Sequence, residues 1–177
     1  SNGRTYPYSS GVITTSSYWN DSLSKRFVYT YGYMEARIKV PKGQGLWPAF
    51  WALPADGSWP PELDAMEILT GNGNTTFTSH MHYHYTDTTG VVRDSGGSWT
   101  SPVDLADDYH IYALSWEPNA VRWYIDGVER RAAFGEAAAI TAKNMFLLLD
   151  LQVGGNWPGD PDATTVFPNY MDIDYVR

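Results

Sequence analysis

The segment Pro61-Glu62-Leu63-Asp64-Ala65-Met66-Glu67-Ile68-Leu69 sets three carboxylates into an otherwise apolar stretch. In a regular strand, side chains alternate between faces, so Glu62 and Asp64 share one face and Glu67 points the other way, into a core. An unpaired carboxylate in an apolar interior is costly, and that register is disfavoured. One extra residue at Ala65 or Met66, a β-bulge, resets the parity and brings Glu62, Asp64 and Glu67 to the same face. Two carboxyl groups placed in this way suit retaining glycoside hydrolysis, which needs a nucleophile and an acid/base roughly 5–5.5 Å apart. Asp64 between them would hydrogen-bond Glu62 and bias the local titration, because clustered like charges force at least one pKa upward. The same acids also fit a merely solvated acidic face or an oxygen-rich calcium site, and spacing leaves all three readings open.

Other side chains could join such chemistry. His80, His82 and His84 alternate along Phe77 to Tyr85 and so share a strand face. Three histidines in line on one strand converge poorly on a tetrahedral zinc ion, which argues against a metal centre there. Trp47 and Trp51 are four residues apart and share a face in an extended strand, for core packing or for stacking on a ligand. The chain holds 8 Trp, 13 Tyr and 6 Phe, which suits the flat C–H faces of sugar rings. Aromatic residues also fill β-rich cores, so composition does not decide between these uses.

The elements that must carry these residues are short runs rich in Val, Ile, Tyr, Phe and Trp, broken by Gly, Pro, Asn and Asp. Strands are predicted over Gly11–Thr15, Tyr31–Val40, Ala49–Leu53, Leu63–Leu69, Thr76–Tyr85, His110–Trp116, Ala120–Ile125, Met145–Val153 and Met171–Val176. Asp126-Gly127 is a hairpin turn between Val121–Ile125 and Val128–Arg131. The one helix-like stretch is Phe134–Ile140, with its alanines. In Tyr33–Val40, alternation puts Met34, Ala36, Ile38 and Val40 in a core and Tyr33, Glu35, Arg37 and Lys39 on a polar face. Many short strands with turns between them predict an all-β antiparallel sandwich, and the lack of any linker or repeat predicts a single domain over 1–177.

Composition narrows the partners. The 177 residues carry a net charge of −8, which argues against nucleic acid, since a phosphate backbone needs a basic face. A neutral substrate fits better. There is no cysteine, which excludes disulfides, thiol nucleophiles and thiolate metal sites. No run approaches the 18 apolar residues of a membrane span, and no signal peptide is visible, so an exported protein would be seen here in mature form or in part.

The chain resembles glycoside hydrolase family sixteen, the jelly-roll endoglycanases that include laminarinases, lichenases, agarases and κ-carrageenases. The likeness rests on Tyr8–Thr15, Tyr31–Lys39, Gly45–Pro54, the acidic strand, Gly154–Gly159 and Met171–Arg177. Lichenases and xyloglucan transferases carry Glu-x-Asp-x-Glu, whereas laminarinases, agarases and carrageenases carry the bulged Glu-x-Asp-x-x-Glu found here. The resemblance implies a jelly-roll fold with a concave cleft, Glu62 as nucleophile, Asp64 as its assistant and Glu67 as general acid/base. It implies substrate contacts from Trp47, Trp51 and Arg37, and a place for His82 beside the acid/base. Trp59, just before the acidic strand, Asn156 and Trp157, on a Gly-rich loop after a strand, and Gln152, which shares strand parity with Asp150, are further candidates for substrate contact. His80 and His84 would be further subsite contacts. Asp150 stands where the family commonly has asparagine. Relatives usually carry several tens of residues before the segment matching Tyr8, including a first strand, so an N-terminal strand segment is expected to be missing.

The resulting expectation is a secreted, monomeric retaining endo-β-glycanase acting on a polysaccharide, above all a β-1,3-glucan, with no nucleic-acid or membrane partner. No cofactor is required for the chemistry. A structural calcium with Asp174 as one ligand is expected from the resemblance. The rival readings are an inactive glycan-binding module on the same fold, a transglycosylase, and a family member acting on another bacterial or algal polysaccharide. Inactive relatives replace the glutamates, and both are present here. Trp59-Pro60-Pro61-Glu62 departs from the Gly-Glu usual in laminarinases and resembles a bacterial subgroup that cuts exopolysaccharide.

Overall fold

The computed structural model describes residues 7–16, 27–71, 76, 78–135 and 140–177. Among them are eleven strands: β1 (Gly11–Thr14), β2 (Gly32–Lys39), β3 (Leu46–Pro54), β4 (Glu62–Glu67), β5 (Thr78–Thr86), β6 (Val92–Thr100), β7 (His110–Glu117), β8 (Ala120–Ile125), β9 (Val128–Phe134), β10 (Met145–Val153) and β11 (Asp172–Val176). They form a six-stranded sheet in the order β1-β10-β3-β4-β5-β6 and a five-stranded sheet in the order β11-β2-β7-β8-β9. Every pairing is antiparallel. This is the all-β sandwich that the alternation of residue types predicts.

The core lies between the two sheets. Phe50, Leu63, Met66 and Tyr83 from the six-stranded sheet pack against Ile38, Leu114, Trp116 and Trp123 from the other, all fully buried. Removing such large apolar surfaces from water is the main driving force for joining the layers. The outward face of the six-stranded sheet is thereby left free to carry polar groups. The hairpin at Asp126-Gly127 forms as expected, with φ of 52° and 75°, the left-handed pair that a tight two-residue turn needs.

Three sequence expectations need adjustment. β3 begins at Leu46 rather than Ala49, running through Pro48. A proline lacks the N–H that a central strand uses, but its carbonyl still serves, and here it accepts from the Ile68 amide at 3.1 Å. β6 has no counterpart among the predicted strands, because Val92–Thr100 is polar and holds two adjacent glycines. The helix-like stretch is not seen as such: Phe134 closes β9, and residues 136–139 lie outside the described residues.

Candidate active site

The parity problem in the acidic strand is solved by a bulge. On β5, Asp64 faces His82 and Glu67 faces His80, so three residues of β4 span two of β5. On β3, Met66 faces Phe50 and Asp64 faces Trp51, which leaves Ala65 as the unpaired residue. Leu63, Ala65 and Met66 all enter the core, while Glu62, Asp64 and Glu67 share the outward face. At the point where the register slips, the Asp64 carbonyl accepts from the Trp123 indole of the opposite sheet at 2.8 Å. An unpaired buried carbonyl would cost about 1–3 kcal/mol, so this bond stabilises the bulge from beneath.

Across the outward face the residues fall into rows set by the strand register. Asp150, Ala49, Glu67, His80 and Ser98 form one row; Leu148, Trp51, Asp64, His82 and Gly96 form the next. Glu62, His84 and Asp94 make a third, and Gln152 with Trp47 flanks the first. The paired glutamates and their histidine neighbours are therefore held by rigid adjoining strands, not by loops.

The two glutamates sit in different surroundings. Glu62 accepts from the Trp59 indole at 2.8 Å and lies 3.5 Å from His84 Nε2. Glu67 accepts from the Trp47 indole at 3.2 Å and lies 3.8 Å from His82 Nδ1. Burial raises the pKa of both, but for Glu62 the Trp59 hydrogen bond and the His84 charge act against it. Burial first, then the Glu62 charge, pushes Glu67 up to about 8. Asp64, 3% exposed, is held well above the ordinary carboxylate range by burial, then by the charges of Glu67 and Glu62. A cluster of this kind cannot be fully ionised at neutral pH, and Glu67 is a carboxyl group kept protonated where Glu62 has donors to stabilise its anion. Glu62, Asp64 and His84 each offer an atom within 4.8 Å of the other two, the only such metal-capable group among the described residues.

Aromatic residues frame this cluster. Trp59 is 51% exposed and lies 5.4 Å from the His84 ring. Lys143 ties down the turn before it, donating to Asp56 at 3.1 Å. At the Glu67 end, Trp157 meets Trp47 edge-on at 4.9 Å and lies 5.4 Å from His80 and 6.0 Å from His82. Asn156 is exposed beside it. Trp51 is on the site face, but its indole is spent on Asp150 at 2.8 Å, and its ring packs beside Leu53, Phe146 and Leu148. Gln152 also hydrogen-bonds Asp150.

Two expected site residues lie elsewhere. Arg37 is on β2, in the five-stranded sheet, where it binds Asp174 at 2.8 Å and stacks 4.5 Å from the Tyr109 ring. Alternation rightly puts Arg37 on a polar face, but that face is the outside of the other sheet, so Arg37 is not a cleft residue. The same contact bears on Asp174. Its carboxylate is paired with the Arg37 guanidinium and joins no metal-capable cluster among the described residues. Sequence reasoning also missed Asp94 and Gly96 of β6. Their signal was the Asp87-Thr88-Thr89-Gly90 turn, where Asp87 accepts from the Thr89 and Val91 amides and Gly90 has φ of 82°.

Asp150 gives a test of the site's electrostatics. It is 8% exposed, and burial pushes its pKa from 3.8 to about 6, against the donors Trp51 and Gln152. The fold favours the protonated form, so this stability is complete below about pH 4 and is lost as pH rises through about 6. Asp150→Asn keeps an oxygen for Trp51 without the charge. The variant should be more stable than the parent by about 1–3 kcal/mol at pH 8 and equal to it at pH 4. Denaturant unfolding at the two pH values measures this, and a gain of equal size at both would refute it.

Known proteins share this arrangement of strands and sequence. The sequence model described as Glycosyl hydrolases family 16 matches residues 2–177. The chain is 36% identical over 174 residues to the endo-1,3-1,4-beta-glycanase ExsH of Rhizobium meliloti, covering 97% of this chain and 33% of the relative. It is 35% identical over 192 residues to glucan endo-1,3-beta-glucosidase A1 of Niallia circulans, covering 96% of this chain and 26% of the relative. Among solved structures, the laminarinase catalytic domain of Thermotoga maritima is similar with a TM-score of 0.78 and 33% identity, covering 94% of this chain and 67% of that one. The chain thus spans about a third or less of the length of these curated relatives.

Proposed function

The chain belongs to glycosyl hydrolases family 16, and on that premise we propose that it is a retaining endo-glycosidase whose substrate is a β-1,3-linked glucan. The observation that carries this reading is the bulge at Ala65, which gathers Glu62, Asp64 and Glu67 on one face with Glu62 and Glu67 in unequal environments. In the first step the Glu62 carboxylate attacks the anomeric carbon and forms a glycosyl ester, while the carboxyl proton of Glu67 passes to the departing glycosidic oxygen. In the second, Glu67 takes a proton from water as that water attacks the anomeric carbon and expels Glu62. Asp64 sits beside both groups and orients Glu62. Trp59 at one end, with Trp47 and Trp157 at the other, offers faces and edges for sugar rings, and His82 and Asn156 offer polar contacts.

The β-1,3-glucan is the substrate class that fits best with relatives described as endo-1,3-1,4-β-glycanase, glucan endo-1,3-β-glucosidase and laminarinase. A polymer of that size is met outside the cell, so in this reading the protein works as an extracellular monomer, with neither nucleic acid nor membrane as partner. The chemistry asks for no cofactor. Incubation with laminarin should release a ladder of oligosaccharides, with viscosity falling before free glucose accumulates. Activity confined to agarose, carrageenan or another exopolysaccharide would overturn the substrate and leave the two-step chemistry standing. Binding to laminarin with no cleavage at all would favour a glycan-binding module instead.

A further inference from the structure

Asp94 lies on β6, at the edge of the site sheet, in register with His84. Its Oδ1 is 4.0 Å from His84 Nε2 and 3.9 Å from His82 Nδ1. Those same nitrogens lie 3.5 Å from Glu62 Oε1 and 3.8 Å from Glu67 Oε2 respectively. A continuous path therefore runs from Glu62 through His84, Asp94 and His82 to Glu67. Separations near 4 Å are spanned by charge, or by one bridging water, more than by direct hydrogen bonds.

The arrangement depends on a glycine. Gly96, opposite His82, leaves the space in which the imidazole rests; a Cβ there would come within 2.7 Å of the ring. Any other residue at 96 would force the His82 ring out of this position. We propose that Asp94 is a positioning residue that acts on both catalytic glutamates at once, through His84 and His82. This inference rests on the hydrolase reading of the site.

The physical basis is charge and orientation together. Glu62, Asp64 and Glu67 on β4, and His82 on β5, each sense the Asp94 anion, which favours the protonated form of every one of them. The other charged or titratable groups facing this region are His80 on β5, Arg131 on β9, which opposes protonation of His82, and Asp150 on β10, which acts in the same sense as Asp94 on Glu67. Asp94 is thus an anion outside the acidic strand that helps Glu67 keep its proton, while its pull on the two imidazoles fixes which ring nitrogen each glutamate meets. Its side chain is 54% exposed, so its influence is screened by solvent and salt.

The test compares the parent with Asp94→Asn and Asp94→Glu, following kcat/KM against pH on a soluble β-glucan and the ring signals of His82 by NMR. For Asp94→Asn both limbs of the profile should move to lower pH by about half a unit at low salt, with kcat reduced and melting temperature kept. The His82 titration should move the same way, and Asp94→Glu should restore much of both. Raised KM with unmoved limbs would mean that Asp94 only touches substrate, and would overturn the inference. Unchanged kinetics in every respect would overturn it too. If the parent cleaves no glucan, the hydrolase reading fails by itself; the His82 titration, moved or unmoved, then decides whether Asp94 acts on this path.

Discussion

Replacing Glu62 with alanine is expected to lower turnover of β-glucan by on the order of 10⁴-fold or more, because the covalent step loses its nucleophile. The fold should tolerate the change. Glu62 is the first residue of β4, and of its two partners His84 is held within β5 while Trp59 keeps its ring contact with His84. The variant has a second signature. With the carboxylate gone, a small space opens on the face of the sugar that Glu62 would attack, and azide can enter it. On a glucoside with an activated leaving group, azide should restore turnover and leave an α-glycosyl azide. Loss of activity with no azide product would assign Glu62 a supporting role.

Glu67→Ala is expected to behave differently on two substrates. With polysaccharide, whose leaving group is a poor one, turnover should fall by about 10²–10⁴-fold, the usual worth of a positioned acid/base. With a dinitrophenyl glycoside, the leaving group needs no proton, and formation of the glycosyl-enzyme should be much less affected. The basic limb of the parent's profile follows from the same residue. Glu67 must be protonated in the first step, and its pKa is pushed up to about 8, so activity should decline as pH rises through that region. Equal losses on both substrates would contradict the acid/base assignment.

Much of this site is legible in the amino-acid sequence. The bulge follows from a parity conflict: a regular strand would bury Glu67 among apolar residues, and the chain avoids that cost by looping out Ala65. The core face of β2 follows from alternation, since Met34, Ala36 and Ile38, with Val40 just after the strand, are all buried. What alternation does not encode is which sheet a polar face belongs to. Arg37 and Glu62 both sit on outward faces, but of opposite sheets, so only one of them borders the site. The roles of the three acids come from family resemblance, since spacing leaves a solvated face and a calcium site equally open.

The rest is hidden for physical reasons. β6 carries Arg93, Asp94, Ser95, Gly96 and Gly97, a run with almost no apolar periodicity, because it is an edge strand with few core contacts. Its importance comes from what it faces across the sheet, namely His82 and His84, and a cross-strand partner is a tertiary fact. The indole contacts of Trp47, Trp51, Trp59 and Trp123 are likewise invisible in sequence. Tryptophan in a β-rich chain reads as packing, and its single N–H finds a carboxylate or carbonyl only once the sheets are assembled.

The most direct test of the central claim is the anomeric configuration of the first product released by the unaltered protein. Laminarin or a short β-1,3-glucan oligosaccharide would be cleaved in an NMR tube, and the anomeric proton of the new reducing end followed from the first minutes. Two displacements, at Glu62 and then at water, restore the original configuration, so the β-anomer should appear first and the α-anomer only later, by mutarotation. An initial α-anomer would mean a single displacement by water, and Glu62 could not be the nucleophile.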